Sequence, residues 1–383
     1  MSIYLDYNAS APIAPVALDA MMAVYQHRIG NADSRTHTYG DQARAAVETA
    51  RKQAASLLGV STAEVFFTSG ATESNNIAIQ GLTAYARASG KKHIITSAIE
   101  HKAVLETVKA MEGRGFTVDL IAPEPSGRVD AGKIIDKLSD ATLLVSLMHV
   151  NNETGIIQPV EELGALLAQR DILFHVDATQ SCGKLVAELR ALQYNMLSFS
   201  AHKMRGPQGI GGLVLRKRSY KLPPVQAIMC GGQQERGLRP GIIPMALAAG
   251  CGAACALAET NYAEDARKLR EIEALLLGLI GALGLRHTIH GDPRWRMPNT
   301  LSLCLHGISS EALMIATKQY CAVSNGSACT STNYAPSYVL TAMGLPADQI
   351  ESTIRISWGA DTDIDLLKAE FSKLLAAARE LAQ

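Results

Sequence analysis

Short runs rich in β-branched and aromatic residues recur along this chain, at 65–68, 94–97, 118–122, 143–149, 172–176, 197–200 and 212–215, with gaps between them long enough to hold helices. Such alternation predicts an α/β fold with a mostly parallel sheet, since parallel strands need crossover connections that usually are helices. The gaps carry the expected helical periodicity over 41–58, closed by Gly59, and over 102–111, followed by Gly113. In open sheets of this kind, ligand-binding groups gather on the loops after the strand ends. The chemistry should therefore be read from the residues that follow each run.

Two of those loops stand out. Phe199-Ser200-Ala201-His202-Lys203 leads into the glycine-rich Gly206-Pro207-Gln208-Gly209-Ile210-Gly211, leaving one lysine between an apolar strand and a loop. A partly buried lysine amine can become nucleophilic and carry a Schiff base, although a solvated loop lysine has the same letters. Upstream, Phe174-His175-Val176-Asp177-Ala178-Thr179-Gln180 delivers one carboxylate at a strand end. Pyridoxal phosphate (PLP) needs this pair: a lysine for its aldehyde and an acid that keeps its ring nitrogen protonated.

Other strand ends add candidates, each with a plainer alternative. Thr68-Ser69-Gly70-Ala71-Thr72-Glu73-Ser74-Asn75-Asn76 opens a helix and can cradle a phosphate with Ser200 and His202 as further donors, or can be a simple N-cap. His101 can stack on a ring or move protons, or be a satisfied surface histidine. Asn152, in His149-Val150-Asn151-Asn152-Glu153-Thr154-Gly155, can orient a substrate or form a turn, and Gln180 can meet a phenolic oxygen or start a helix. Arg355, between apolar neighbours, can clamp a carboxylate bidentately or make a structural ion pair. Cys329, in Ser324-Asn325-Gly326-Ser327-Ala328-Cys329-Thr330-Ser331, sits among small polar residues where a core cysteine is out of place, which points to a nucleophile or a redox sensor.

Composition limits the remaining classes. Thirty-six basic and 36 acidic residues cancel, so no global field recruits nucleic acid or a membrane surface. The longest apolar run, 243–258, contains Pro244, Gly250 and Gly252 and falls short of a membrane span, so a buried helix is expected. The start of the chain lacks a basic region followed by an apolar one, and a cytoplasmic location is expected. Seven cysteines without a Cys-x-x-Cys pair argue against zinc and disulfide frameworks, and no metal site is expected. After 241 the texture changes to a long apolar helical stretch, a charged amphipathic helix over 262–280, and short strands near 301–305 and 354–357.

Taken in order, these motifs resemble the cysteine desulfurases of the fold-type I, class V aminotransferase-like PLP family, in the group whose catalytic loop reads Ser-Gly-Ser-Ala-Cys-Thr-Ser. The resemblance runs from Tyr4-Leu5-Asp6-Tyr7-Asn8-Ala9 to Ser337-Tyr338-Val339-Leu340. It implies a large domain over 15–259 with a seven-stranded sheet, a small α+β domain over 260–383 with the cysteine loop at about 321–335, and an N-terminal segment, 1–14, packed on the small domain. It also implies roles: Lys203 as the Schiff-base lysine, Asp177 on the ring nitrogen, His101 stacked on the ring, and Ala71, Thr72, Ser200 and His202 around the phosphate. Asn152 and Gln180 would contact cofactor or substrate, Arg355 the substrate carboxylate, and Cys329 would receive sulfur from L-cysteine as a persulfide for an acceptor protein. A homodimer is implied as well. Selenocysteine lyase, another PLP lyase and a partner-dependent sulfur-relay subunit are the rival readings.

Three departures from the family pattern stand out. Its Arg-Ser-Gly-Thr segment, whose threonine reaches the partner subunit's phosphate site, is here Arg239-Pro240-Gly241-Ile242, and its Gly-Pro-Lys-Gly is Gly206-Pro207-Gln208-Gly209. The chain ends at Gln383, short of the tail with which housekeeping members engage the iron–sulfur scaffold protein, so a dedicated pathway such as DNA phosphorothioation joins iron–sulfur cluster assembly among the expected destinations.

Overall fold

The computed structural model describes residues 2–326 and 335–382. Seven strands form the central sheet: β1 Val65–Thr68, β2 His93–Ser97, β3 Thr117–Ile121, β4 Thr142–Met148, β5 Leu173–Asp177, β6 Met196–Ser200 and β7 Gly211–Leu215. Their order is β1-β7-β6-β5-β4-β2-β3, and only β7 runs antiparallel to its neighbours. Successive strand residues feed two different apolar layers. Val65, Phe67, Val145, Leu147, Phe174, Val176, Leu197 and Phe199 enter one core, while Phe66, Ile94, Leu144, Met196 and Leu213 enter the other. With both faces covered, the strands must read as continuous apolar runs, which is why they were visible in the sequence.

The edge strand β1 is finished by charge. Arg51, on the helix Thr38–Leu58, pairs with Glu235 through bonds of 2.6 and 2.8 Å, and both side chains are almost fully buried. Glu235 Oε2 also accepts from Phe67 N at 2.6 Å, and Arg51 Nη1 donates to Val65 O at 2.9 Å. A carboxylate and a guanidinium thus satisfy outward-facing backbone groups of β1 that would otherwise invite another strand. Glu235 and Arg236 adopt left-handed backbone, φ 48° and 58°, to reach this position.

The helix Met245–Gly281 is one continuous element of 37 residues, where the sequence suggested an apolar helix and a separate charged one. Polarity changes near Glu259 but nothing there breaks a helix, and Arg267 bonds Glu264 and Glu271 one turn away on either side. What changes is the partner. Cys251, Cys255 and Ala258 belong to the core of the large sheet, whereas Leu269, Ile272, Leu276 and Ile280 belong to a second core with Trp358 and Phe371. Gly252 explains the glycine in the apolar run: a Cβ there would lie 2.6 Å from Ala50 Cα, so only glycine permits the helix Thr38–Leu58 to pack this closely.

The second core is built on a three-stranded antiparallel sheet of β8 His287–Ile289, β9 Thr300–Leu305 and β10 Thr353–Ser357, with the order β10-β9-β8. The N-terminal segment adds Ile3 and Leu5 to it, and Ile3–Tyr4 pairs in parallel with Cys321–Ala322. From there the chain crosses to the large sheet at Asn8 and Ala9. None of the helices among the described residues is long and apolar enough to cross a membrane.

The buried pair at the β1 edge yields a stability prediction. Glu235→Ala leaves the Arg51 charge and Phe67 N–H buried without their acceptor, and is expected to cost about 3–5 kcal/mol in chemical denaturation. Glu235→Gln, which keeps an acceptor, should lose distinctly less.

Candidate active site

Asp177 is the last residue of β5, the middle strand of the sheet, and is buried. It lies on the same strand face as His175, opposite the face that carries Phe174 and Val176. A buried carboxylate must be hydrogen-bonded, and it is: Asn75 Nδ2 donates to Oδ2 at 2.8 Å, and Thr179 gives Oδ1 its backbone N–H at 3.0 Å and its hydroxyl. Asn75 comes from the helix Ala71–Gln80, so one bond fixes that helix against the end of β5. Behind Asp177, His175 is held between the Ser146 and Ser198 hydroxyls at 2.8 and 2.9 Å, and burial pushes its pKa down to about 4.

Asp177 opens into a cavity of about 560 Å³ at the C-terminal ends of the parallel strands. Every described candidate from the sequence lines it: Ala71 and Thr72 after β1, His101 after β2, Asn152 after β4, Asp177 at the end of β5 and Gln180 after it, Ser200 at the end of β6 with His202 and Lys203 after it, and Arg355 from β10. Cys329 lies outside the described residues. Lys203 closes a single helical turn, Ala201–Lys203, and its Nζ donates to Asn8 O at 2.6 Å and Ala9 O at 2.7 Å. These are uncharged acceptors, supplied by the N-terminal segment.

At the far side the helix Ala71–Gln80 starts next to Ser200, with its first N–H groups facing the cavity end without intrahelical partners. Its first turn is braced: Glu73 accepts from Ser69 N at 2.7 Å and pairs with Arg239 at 2.8 Å. His202 Nδ1 lies 3.2 Å from Ser10 Oγ, and Gln208 Nε2 reaches the same hydroxyl at 3.2 Å. Burial, with Lys203 adding its charge, pushes His202 down to about 4, so it is neutral near pH 7. An anion fits here, met by helix N–H dipoles and neutral donors.

His101 is the N-cap of the helix Lys102–Glu112, and its Nδ1 accepts from Ala103 N at 3.1 Å. That bond leaves the proton on Nε2, and burial holds the ring pKa below its usual range despite the attraction of Asp177. Gln180 donates through Nε2 to Asn8 O at 3.0 Å. Arg355 makes an ion pair with Asp6 at 2.7 Å and donates to Asn152 O at 3.1 Å, which is the structural reading of this arginine. Even so, Arg355 Nε, Asn152 Oδ1 and Gln180 Oε1 are buried atoms without a partner. Unsatisfied polar atoms around one cavity are the mark of a site shaped for a polar ligand. A PLP molecule suits it on each count: an anion cradle at one end, an acid for the ring nitrogen at Asp177, and an amine at Lys203.

Three contributors were not singled out from the sequence. Asn8 links the site to the three-stranded sheet, donating through Nδ2 to Asn152 O at 3.1 Å and Thr300 Oγ1 at 2.9 Å. Glu100, fully buried, accepts from Ser97 Oγ at 2.6 Å and Met148 N at 3.0 Å. Burial raises its carboxyl to about 8 against those two bonds, with Asp177 adding to the rise. Glu153 is likewise buried and raised to about 7. Asn8 and Glu153 each stood inside a quoted motif and Glu100 stands next to His101, but an isolated letter does not reveal that a side chain turns inward.

The sheet order, the acid at the end of its middle strand and the lysine one strand away define a fold-type I PLP-dependent enzyme. The profile of the family described as "Aminotransferase class-V" matches residues 3–368. Among curated relatives, the "Cysteine desulfurase IscS" of Anaeromyxobacter dehalogenans is 40% identical over 386 aligned positions, spanning 99% of this chain and 94% of its own. Of solved structures, a "NIFS-LIKE PROTEIN" superposes with a TM-score of 0.91 at 33% identity, covering 100% of both chains. Another, described as "SspA in complex with cysteine", gives 0.82 at 33% identity, covering 94% of this chain and 100% of its own. The chain therefore belongs to the cysteine desulfurases of the class-V aminotransferase family.

The buried acid at Glu100 gives a pH prediction. Its folded pKa of about 8 exceeds the ordinary 4.5, so the folded state keeps a proton that the unfolded state releases between those values. Stability from this group is complete below pH 4.5 and is lost as pH rises toward 8, with a limiting slope of about 1.4 kcal/mol per unit. His149, His175 and the half-buried His202, at about 4 when folded, act in the opposite sense below pH 6.5. Between pH 6.5 and 8, Glu100→Gln is therefore expected to show a shallower fall in unfolding temperature than the unsubstituted chain. Parallel slopes would remove Glu100 from this role.

Proposed function

We propose that this protein is a PLP-dependent cysteine desulfurase that converts L-cysteine to L-alanine and holds the released sulfur as a persulfide on Cys329 for an acceptor protein. The observation that carries the reading is the meeting of Asp177, Lys203 and the open start of the helix Ala71–Gln80 in one cavity of a chain 40% identical to a named desulfurase. When bound, PLP supplies an electrophilic carbonyl and a ring able to store an electron pair.

The chain's own residues do the rest. Ala71 and Thr72 N–H groups, Ser200 and neutral His202 would hold the phosphate, while Asp177, fixed by Asn75 and Thr179, would pair with the ring nitrogen. His101 would lie against the ring, and Asn152 and Gln180, each with a buried side-chain oxygen that has no partner, would meet cofactor or substrate. Arg355 receives the substrate carboxylate, already oriented by Asp6 and Asn152 O. Lys203 Nζ takes the Cα proton of L-cysteine. Cys329, as thiolate, attacks the substrate sulfur; the S–S bond forms as the Cβ–S bond breaks, the electron pair left on the carbon skeleton takes up a proton at Cβ, and Lys203 returns the Cα proton to give alanine. A neutral His101, with one ring nitrogen engaged by Ala103 N, retains the other for proton exchange near the thiol.

The large PLP-binding domain is taken as 15–259 and the small domain as 260–383, with the boundary inside the continuous helix Met245–Gly281. A homodimer is part of the proposal, supported by the exposed apolar Ile228, Met229 and Ile242 on one segment. Ile242 offers no hydrogen bond to a phosphate. A cytoplasmic setting, where thiols stay reduced, suits a persulfide carrier.

Visible absorbance of the PLP-loaded protein before and after L-cysteine, with alanine and sulfide assayed in parallel, tests the proposal. The band should shift and alanine should accumulate. Cys329→Ser is expected to keep the spectral response while alanine formation falls by about 10³-fold or more; Lys203→Ala should lose the band of the unsubstituted enzyme. Sustained turnover by Cys329→Ser, or no chromophore with PLP in excess, would refute it.

A further inference from the structure

Glu153 lies one residue beyond Asn152, and its backbone is fixed before its side chain makes any contact. Its N–H and that of Thr154 donate to Asn151 Oδ1 at 2.9 and 3.0 Å, and Asn151 Nδ2 is tied to Ile99 O at 3.0 Å. From this turn at the end of β4 the carboxyl points away from Asp177 toward the C-terminal part of the chain, where the residue is only 4% exposed. Oε2 accepts from Ser337 Oγ at 2.5 Å. Ser337 is in turn the N-cap of the helix Tyr338–Ala342, its Oγ accepting from Leu340 N at 3.1 Å.

The same oxygen packs against Gly326 so closely that a Cβ at that position would overlap the carboxyl. Gly326 and Ser337 flank the stretch of sequence that carries Cys329. The charged groups facing Glu153 are Arg355 and Lys102, both of which favour its ionised form against burial. Burying a carboxyl is costly unless its bonds repay it, and here its side-chain contacts go to the two flanks of one segment.

We propose that Glu153 is a positioning residue for the sulfur-receiving thiol, joining Gly326 and Ser337, the flanks of the Cys329 segment, to the rigid end of the central sheet. The inference rests on the desulfurase reading for its chemistry, though not for its geometry. What it requires is an acceptor rather than a charge: Ser337 donates the hydrogen bond, so an amide oxygen in the same place would serve. The turn that sets Asn152 toward the cavity would thereby set the flanks of the thiol segment as well.

The test uses the PLP-loaded enzyme with Glu153→Ala, Glu153→Gln and, from the other side of the bond, Ser337→Ala. Glu153→Ala is expected to lower kcat for alanine at least about tenfold, while the L-cysteine concentration giving half the visible spectral change stays within about twofold. Glu153→Gln should recover to within about threefold of the unsubstituted enzyme, and Ser337→Ala should fall between the two. Alkylation of Cys329 by iodoacetamide, followed by peptide mass in a Cys230→Ser background, should be about threefold faster in Glu153→Ala. Because alkylation needs no turnover, it still reports on the flanks if the enzyme proves not to act on L-cysteine, in which case the unsubstituted protein itself shows no spectral change. The inference is overturned if Glu153→Ala alters neither kcat nor alkylation, if its spectral response is lost in step with its activity, or if Gln does no better than Ala.

Discussion

A carboxylate kept at the end of the middle strand of a parallel sheet is the constraint around which the rest of this molecule is arranged. Asp177 is buried, and a buried charge persists only where hydrogen bonds replace the water it lost. Two of its partners come from the residue two places on, Thr179, and one from Asn75 on a helix far away in sequence. That single long-range bond brings the start of the helix Ala71–Gln80 to the same edge of the sheet, so the anion cradle and the acid are set at a fixed separation by one interaction. Lys203, in the turn that follows the strand next to β5, completes the constellation because β5 and β6 pair in parallel and point their C-terminal ends the same way.

The N-terminal segment is the hinge between the two cores. Ile3 and Leu5 are buried with the small sheet, yet three residues later Asn8 bonds Thr300 of that sheet and Asn152 of the large one, and its carbonyl receives both Gln180 and Lys203. Asp6 holds Arg355 a few ångströms away. The segment therefore aligns the lysine with the arginine although they belong to different layers. The long helix Met245–Gly281 also joins the two, changing from one core to the other without a break.

Titratable groups in and beneath the cavity are shifted toward their neutral forms. His149, His175 and His202 are driven down to about 4 by burial, while Glu100 and Glu153 are driven up to about 8 and about 7. Both movements favour the neutral form, so the floor of the site carries little charge near neutral pH apart from its specific pairs. Charge is thereby concentrated on the groups that face the cavity, where a low dielectric makes it most effective.

By itself, the sequence determined the alternation of strands and helices and the strand positions of the seven-stranded sheet to within a residue, and it pointed to the lysine, acid and helix-start loops that line one cavity, because each depends on local letters: an apolar run buried on both faces, a residue type at a strand end, a helix start. The resemblance to the desulfurases was carried by the same ordered loops. Only the tertiary structure decided that the apolar stretch after Pro244 and the charged one after 260 are a single helix, since a change of polarity marks a change of packing partner and not a break in hydrogen bonding. It alone decided that Arg355 is paired with Asp6, that Arg51 and Glu235 finish the sheet edge, and that Asn8, Glu100 and Glu153 turn inward. Those roles rest on contacts between residues tens to hundreds of positions apart, and a buried polar side chain carries no mark in the sequence until its partner is in place.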